Sequence, residues 1–212
     1  MIASEGEARD WLRTLSECDD AAMQRLEHLA ALLAEENARQ NLVSASSLAS
    51  VWQRHIADSA QLLCHVPRET GSPWLDLGTG AGFPGLVIAA LRPEVRLVMV
   101  ESRVLRAEWL ERVRLALGLD QAEVIGQRLE LVETSAYRVI SARAFAPLER
   151  LLHLSARFST DDTLWLLPKG QSAQQELQSL HGWQHMFHVE QSLTDADAGI
   201  IIGRLGRKGQ TP

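Results

Sequence analysis

The residues best placed for chemistry lie in the stretch Trp74-Leu-Asp-Leu-Gly-Thr-Gly-Ala-Gly-Phe-Pro-Gly85. A short apolar run carries a carboxylate, Asp76, and leads into glycines at 78, 80 and 82, with Pro84 just beyond. Glycine lets the backbone turn tightly and admits a ligand where a Cβ would block both. Proline suits the first turn of a helix, where its missing N–H has no partner to lose. The order therefore predicts strand, turn and helix. A second apolar run, Val95 to Val100, ends in Glu101, twenty-one positions after Gly80. Rossmann-like units place there a carboxylate that accepts hydrogen bonds from a ribose. Asp76 and Glu101 would then both stand at carboxyl ends of strands, the edge at which open α/β sheets bind ligands.

A tight turn without a ligand is the plain alternative, and strand, turn, helix, strand and acid in succession weigh against it. The spacing G-x-G-x-G fits the dinucleotide fingerprint poorly, since position 83 is Phe. With Asp76 ahead of the first glycine, the turn resembles the S-adenosylmethionine (SAM) turn of class I methyltransferases.

The rest of the chain must position this turn. Leu12, Leu15, Met23, Leu26, Leu29, Leu32 and Leu33 recur at helical steps among charged residues, which predicts amphipathic helices. Asp19 or Asp20 suits the N-cap of the helix running towards Arg39, and Ser46 or Ser47 that of a helix containing Trp52 to Ser59. Arg54, His55 and Asp58 bring more polar chemistry than packing needs; they either pair on a helix surface or serve a site. Residues 1–66 are read as a helical extension and 67–212 as the main domain, the two packed as one unit. Helices are expected at Pro84 to Leu91, through Leu105, Trp109, Val113 and Leu117, and at Pro147 to Arg157. Further strands are expected at Ala122 to Ile125, Tyr137 to Ser141 and Thr163 to Leu167, and an exposed helix at Gln171 to Leu180. Trp183 to Val189 and Gly199 to Leu205, joined through Asp195-Ala-Asp197, read as an antiparallel hairpin. The alternation predicts an α/β, doubly wound and mostly parallel sheet.

Size and charge narrow the classes. The chain has 212 residues, 46% of them hydrophobic and 23% charged, as in ordinary globular domains. No apolar run reaches the roughly twenty residues of a membrane span, and the acidic start, Glu5 and Glu7, does not read as a signal peptide. A cytoplasmic protein is expected. The net charge of −6 argues against nucleic-acid binding through overall charge, leaving local patches open. Only Lys169 and Lys208 are lysines among 21 basic residues, so most positive charge is guanidinium, suited to phosphate forks and base stacking. Cys18 and Cys64 lack metal-ligand spacing, and a disulfide between them is not expected. His153, His181, His185 and His188 have no acid or Cys partner at ligand spacing, so no metal is expected.

Seven segments together resemble one family, the bacterial 16S ribosomal RNA guanine-N7 methyltransferase G, or glucose-inhibited division protein B. They are Asn41-Leu42, Arg54-His-Ile-Ala-Asp58-Ser59, Asp76 to Gly85, Glu101-Ser102, Arg128-Leu-Glu130, Ala142-Arg-Ala-Phe-Ala-Pro147 and Lys169-Gly170. The resemblance implies a seven-stranded class I fold with the hairpin as its last two strands. It also implies methyl transfer from SAM to N7 of guanine 527 in the 530 loop of 16S rRNA, with the 30S subunit as partner and the protein a monomer. Leu105 and Arg138 depart from it, where relatives usually carry a basic residue and an Asp.

Guanine N7 carries no proton, so a general base is unnecessary and none is assigned. Rate should come from holding the reactants in line in a closed site. The absence of an Asn/Asp-Pro-Pro-aromatic motif after the fourth strand, where Ser141-Ala-Arg-Ala stands, agrees with this. The resemblance places cofactor contacts at Gly78, Phe83, Leu129, Glu130 and Arg143; the turn and second strand add Asp76, Gly80, Gly82 and Glu101. His55, Arg103, Arg106 and Lys169, with Arg207 and Lys208, are the candidate RNA contacts, and His55, Arg143 and Lys169 the candidate positioning groups. Substituting Lys169 or Arg106 should weaken RNA modification with SAM affinity almost intact. Competing readings are a small-molecule methyltransferase, an NAD-dependent oxidoreductase and a SAM-dependent RNA-binding module without catalysis.

Overall fold

The computed structural model describes residues 1–69 and 72–206; Arg207 and Lys208 lie outside them. Seven strands form one sheet: β1 Trp74–Leu77, β2 Leu97–Val100, β3 Ala122–Ile125, β4 Val139–Ala142, β5 Leu164–Gly170, β6 His188–Gln191 and β7 Gly199–Gly203. Their order is β3-β2-β1-β4-β5-β7-β6. The first five run parallel, and β7 pairs antiparallel with both β5 and β6. The winding reverses between β1 and β4, so a crevice opens beyond their carboxyl ends. β5 runs on to Gly170 with a register shift between Pro168 and Gly170, carrying Lys169 within the strand's last residues. Proline is tolerated there because it lies at that irregularity.

Helices cover both faces. α1 (Glu5–Leu12), α2 (Asp20–Asn37) and α3 (Ala45–Leu48) precede a π-helical segment, Trp52–Ala57, which continues through α4 (Asp58–Ala60) and a 3-10 turn, Gln61–His65. Asp19 caps α2 through the Ala22 amide, while Ser44, and neither Ser46 nor Ser47, caps α3. Leu26, Leu29 and Leu33 of α2 are fully buried in one cluster with Leu86 and Ile88 of α5 (Gly85–Leu91). The Arg25 Nε donates to the Ala90 carbonyl across the same contact at 2.8 Å. The opposite face of the sheet buries Leu75, Leu77, Val98 and Val100 with Leu151 and Leu152 of α7 (Leu148–Ser155). Apolar packing on both faces agrees with the unbroken apolar run of β2 and with that of β1, which only Asp76 interrupts.

α6 (Val104–Ala116) turns in Trp109, Leu110 and Val113, but Leu105 is 64% exposed. The four-residue ladder read from sequence begins one step too early, because the α-helical period drifts off strict fours. α8 (Ala173–Gln178) lies beside the terminal strands. No described helix is long and apolar enough to cross a membrane. Cys18 and Cys64 are both free, and no three His, Cys, Asp or Glu gather into a metal-holding group among the described residues.

Gly85 leaves no room for a side chain: a Cβ there would lie 2.8 Å from both Asp76 Oδ2 and Met99 Cγ. Gly85→Ala is expected to cost about 1–3 kcal/mol through overpacking. A thermal melt should fall by roughly 3–10 °C; an unchanged melt would show that β1 and β2 yield freely.

Candidate active site

Each candidate group sits just past a strand end. Gly78 follows β1, Glu101 follows β2, Leu129 and Glu130 lie in a 3-10 turn after β3, and Arg143 follows β4. These positions line two cavities that share one wall, Ala144 to Pro147.

The smaller, of about 400 Å³, is lined by Gly78, Glu101, Arg103, Arg106, Leu129 and Glu130, among others. Glu101 is 6% exposed and accepts hydrogen bonds from the Gly80 amide at 3.0 Å and the Arg103 amide at 2.8 Å. Each carboxylate oxygen keeps a further lone pair for a ligand hydroxyl. Gly78 has φ +64°, and the Phe145 ring fills the space its Cβ would take. The Arg106 guanidinium lies 3.6 Å from where a Gly80 Cβ would be.

The larger cavity, of about 680 Å³, is lined by His55, Asp58, Arg143, Lys169, Glu176 and Asp195, with other residues. Arg143 organises it. One guanidinium nitrogen donates to Asp58 Oδ2 at 3.0 Å and to the Arg54 carbonyl at 3.3 Å; the other lies 2.7 Å from His55 Nδ1. Asp58 Oδ1 also accepts from Thr194 and Gln61, tying the segment to the β6–β7 hairpin. His55 stacks on Phe83 with centroids 4.8 Å apart, and Arg143 lies over the same ring. Arg54 pairs with Asp195, so the three polar residues of the helical motif do not pair with one another.

Several expectations need correction. Asp76 has no exposed surface: its carboxylate accepts from Thr79 at 2.7 Å, Ser141 at 2.7 Å and the Gly85 amide at 3.0 Å. It braces the turn from inside and does not face a cofactor. Burial pushes it up to about 6, against those three hydrogen bonds. Gly82 packs against Leu86, and Phe83 is 3% exposed beneath His55; neither lines the smaller cavity. Arg143 lines the larger cavity and not the smaller. Arg103 and Arg106, expected at RNA, line the cavity of the cofactor residues.

Lys169 is not free for a phosphate. Its side chain is 7% exposed, with Nζ donating to the Ala146 carbonyl and 2.9 Å from Glu176 Oε2. Burial alone would raise the Glu176 carboxyl, but hydrogen bonds from Ser172, Lys169 and the Leu148 amide, with the lysine charge, hold it low. Lys169 thus anchors the shared wall. The sequence gives no role to Thr194, nor one of its own to Phe145 within Ala142 to Pro147; the small residues Ala144 and Ala146 flanking Phe145 are the signal available there. The departures lie apart: Leu105 is exposed on α6, and Arg138 pairs with Asp162 at 3.8 Å.

The Arg106 and Lys169 placements reverse half of the expected division. Arg106→Ala should weaken SAM binding by roughly 3–10-fold, the worth of about one hydrogen bond. Lys169→Met should leave that affinity nearly unchanged and slow transfer instead. Calorimetric titration beside single-turnover assays checks both; equal SAM affinities in wild type and Arg106→Ala would return Arg106 to the RNA side.

The fold is that of class I SAM-dependent methyltransferases. A SAM-dependent methyltransferase from Aquifex aeolicus superposes with a TM-score of 0.57 at 13% identity, over 78% of this chain and 95% of its own. The YcgJ protein of Bacillus subtilis gives 0.55 at 14%, over 73% and 100%. Residues 22–196 match the rRNA small subunit methyltransferase G family, GidB. Relatives named ribosomal RNA small subunit methyltransferase G are 61% identical in Novosphingobium aromaticivorans, over 96% of this chain and 90% of the relative, and 61% in Erythrobacter litoralis, over 96% and 98%. The chain belongs to this family. SAM is its methyl donor, and the smaller cavity fits one: Glu101 offers acceptors for ribose hydroxyls and Leu129 an apolar wall, with Gly78 beside them.

Proposed function

We propose that this chain methylates N7 of guanine 527 in the 530 loop of 16S rRNA, acting as a monomer on the 30S particle in the cytoplasm. The observation that carries the reading is the state of the acids around the larger cavity. Asp58 faces Arg143, Glu176 faces Lys169 and Asp195 faces Arg54. Burial and the Arg143 charge hold His55 down to about 3, so it too is a poor base near neutral pH.

A site without an available base suits a nucleophile that has no proton to lose, as N7 of guanine is. SAM, when bound, supplies an electrophilic methyl: the N7 lone pair forms the new N–C bond, the C–S bond breaks towards sulfur, and the positive charge passes to the purine. Arg143 and His55, the latter backed by Phe83, then orient the base, and Lys169 holds the wall between the two cavities. Arg128 and Arg150, beside the smaller cavity, offer guanidinium forks that suit RNA phosphates.

The test is tritium transfer from SAM to 30S particles isolated from cells lacking the protein. Borohydride reduction and aniline then cleave rRNA at N7-methylguanine. Label in the particle with a single new break at position 527 is the expected result. Label without a break would place the methyl on another atom, and a break elsewhere would move the target.

A further inference from the structure

The surroundings of His55 fix one tautomer. A guanidinium carries only donors, so with Arg143 2.7 Å away Nδ1 must accept, which leaves the ring proton on Nε2. The residue is 7% exposed, its ring pinned against Phe83. Nε2 is buried and has no hydrogen-bond partner among the described residues. A buried N–H without an acceptor is uncommon in native proteins and points to something outside the chain that completes it. His55 lines the larger cavity, and no polar group among the described residues completes Nε2 from within the chain.

Resting on the guanine-N7 reading above, we propose that Nε2–H of His55 selects guanine by donating to O6, beside the N7 that takes the methyl. The Hoogsteen edge of guanine presents two acceptors, N7 and O6; adenine presents N7 and an amino donor. One fixed donor at position 6 engages guanine, leaves the N7 lone pair free, and meets adenine with N–H against N–H. The arginine clamp keeps the donor from becoming an acceptor, so adenine cannot be accommodated by a tautomer change. Neutrality matters as well, because the methylated purine is cationic and a charged imidazolium beside it would oppose the transfer. Arg143 spends three of its five N–H donors on Asp58, the Arg54 carbonyl and His55, and its part is to hold the imidazole in place.

The test uses the full chain, SAM, and 30S particles reconstituted with either guanine or 2-aminopurine at position 527. The analogue keeps N7 and the 2-amino group but has hydrogen at C6. Wild type should transfer to it roughly 10–100-fold more slowly, the loss expected when one buried donor goes unpaired. His55→Phe, which keeps a ring against Phe83, should be slow on both bases and indifferent between them. Any difference in intrinsic N7 reactivity cancels when the two proteins are compared. Equal wild-type rates on the two bases overturn the proposal, and this comparison stands even if the variant fails to fold. A variant that keeps the full preference for guanine overturns it too. So does a variant whose SAM affinity falls by calorimetry with base preference retained, which would give the N–H to the donor's carboxylate. No wild-type transfer to either base defeats the guanine-N7 reading itself and this assignment with it.

Discussion

Arg143→Ala is expected to lower single-turnover methyl transfer by at least ~100-fold, the scale of losing a charged group that orients an active site. One guanidinium joins Asp58, the Arg54 carbonyl, His55 Nδ1 and the Phe83 face, and its side chain is only 21% exposed. Its removal leaves Asp58 with Thr194 and Gln61 alone and frees the imidazole to change tautomer. Arg143→Lys should rescue little, because an ammonium cannot span two nitrogens' worth of partners in a planar fork. A lysine variant at near wild-type rate would show that charge alone suffices and that the fork geometry is incidental.

Asp76→Ala should be the most damaging single change to the fold. It strands the Thr79 hydroxyl, the Ser141 hydroxyl and the Gly85 amide in a fully buried site, and Ser141 in turn accepts from the Trp74 indole at 2.9 Å. Unsatisfied buried donors cost about 1–3 kcal/mol each, so a loss of roughly 3–5 kcal/mol is expected in urea unfolding. The same carboxylate gives a pH signature. Burial lifts it from 3.8 to about 6, so between those values the native protein holds more protons than the unfolded one. Its contribution is therefore fully present below about pH 4 and is lost as pH rises through 6, by about 3 kcal/mol. Asp76→Asn cannot ionise and should flatten that part of the stability curve. If the wild-type curve is already flat from pH 4 to 6, Asp76 is not the buried acid described.

The glycine turn was legible because Gly78, Gly80, Gly82 and Pro84 punctuate the chain locally, and Glu101 because it ends an apolar run. The direction in which Asp76 points was not: a carboxylate at a strand end can face a ligand or the interior, and one of the three groups that hold it inward is Ser141, 65 positions away. The division of the site into two cavities was equally hidden. Arg143 meets His55 across 88 positions, and Lys169 finds Ala146 only because β5 extends past Pro168. The π-helical segment carries the same composition as an α-helix, so the turn that sets His55 and Asp58 on Arg143 leaves no periodic trace.

The wall positions differ in how soon translation delivers them. The residues lining the smaller cavity lie between Gly78 and Leu154, whereas the larger needs Lys169, Ser192, Thr194 and Asp195. The shared wall, Ala144 to Pro147, is itself held through Lys169 and Glu176, so both cavities draw on chain that is made late. Asp58 must wait for Thr194, 136 positions later, and closing so distant a contact is a late event.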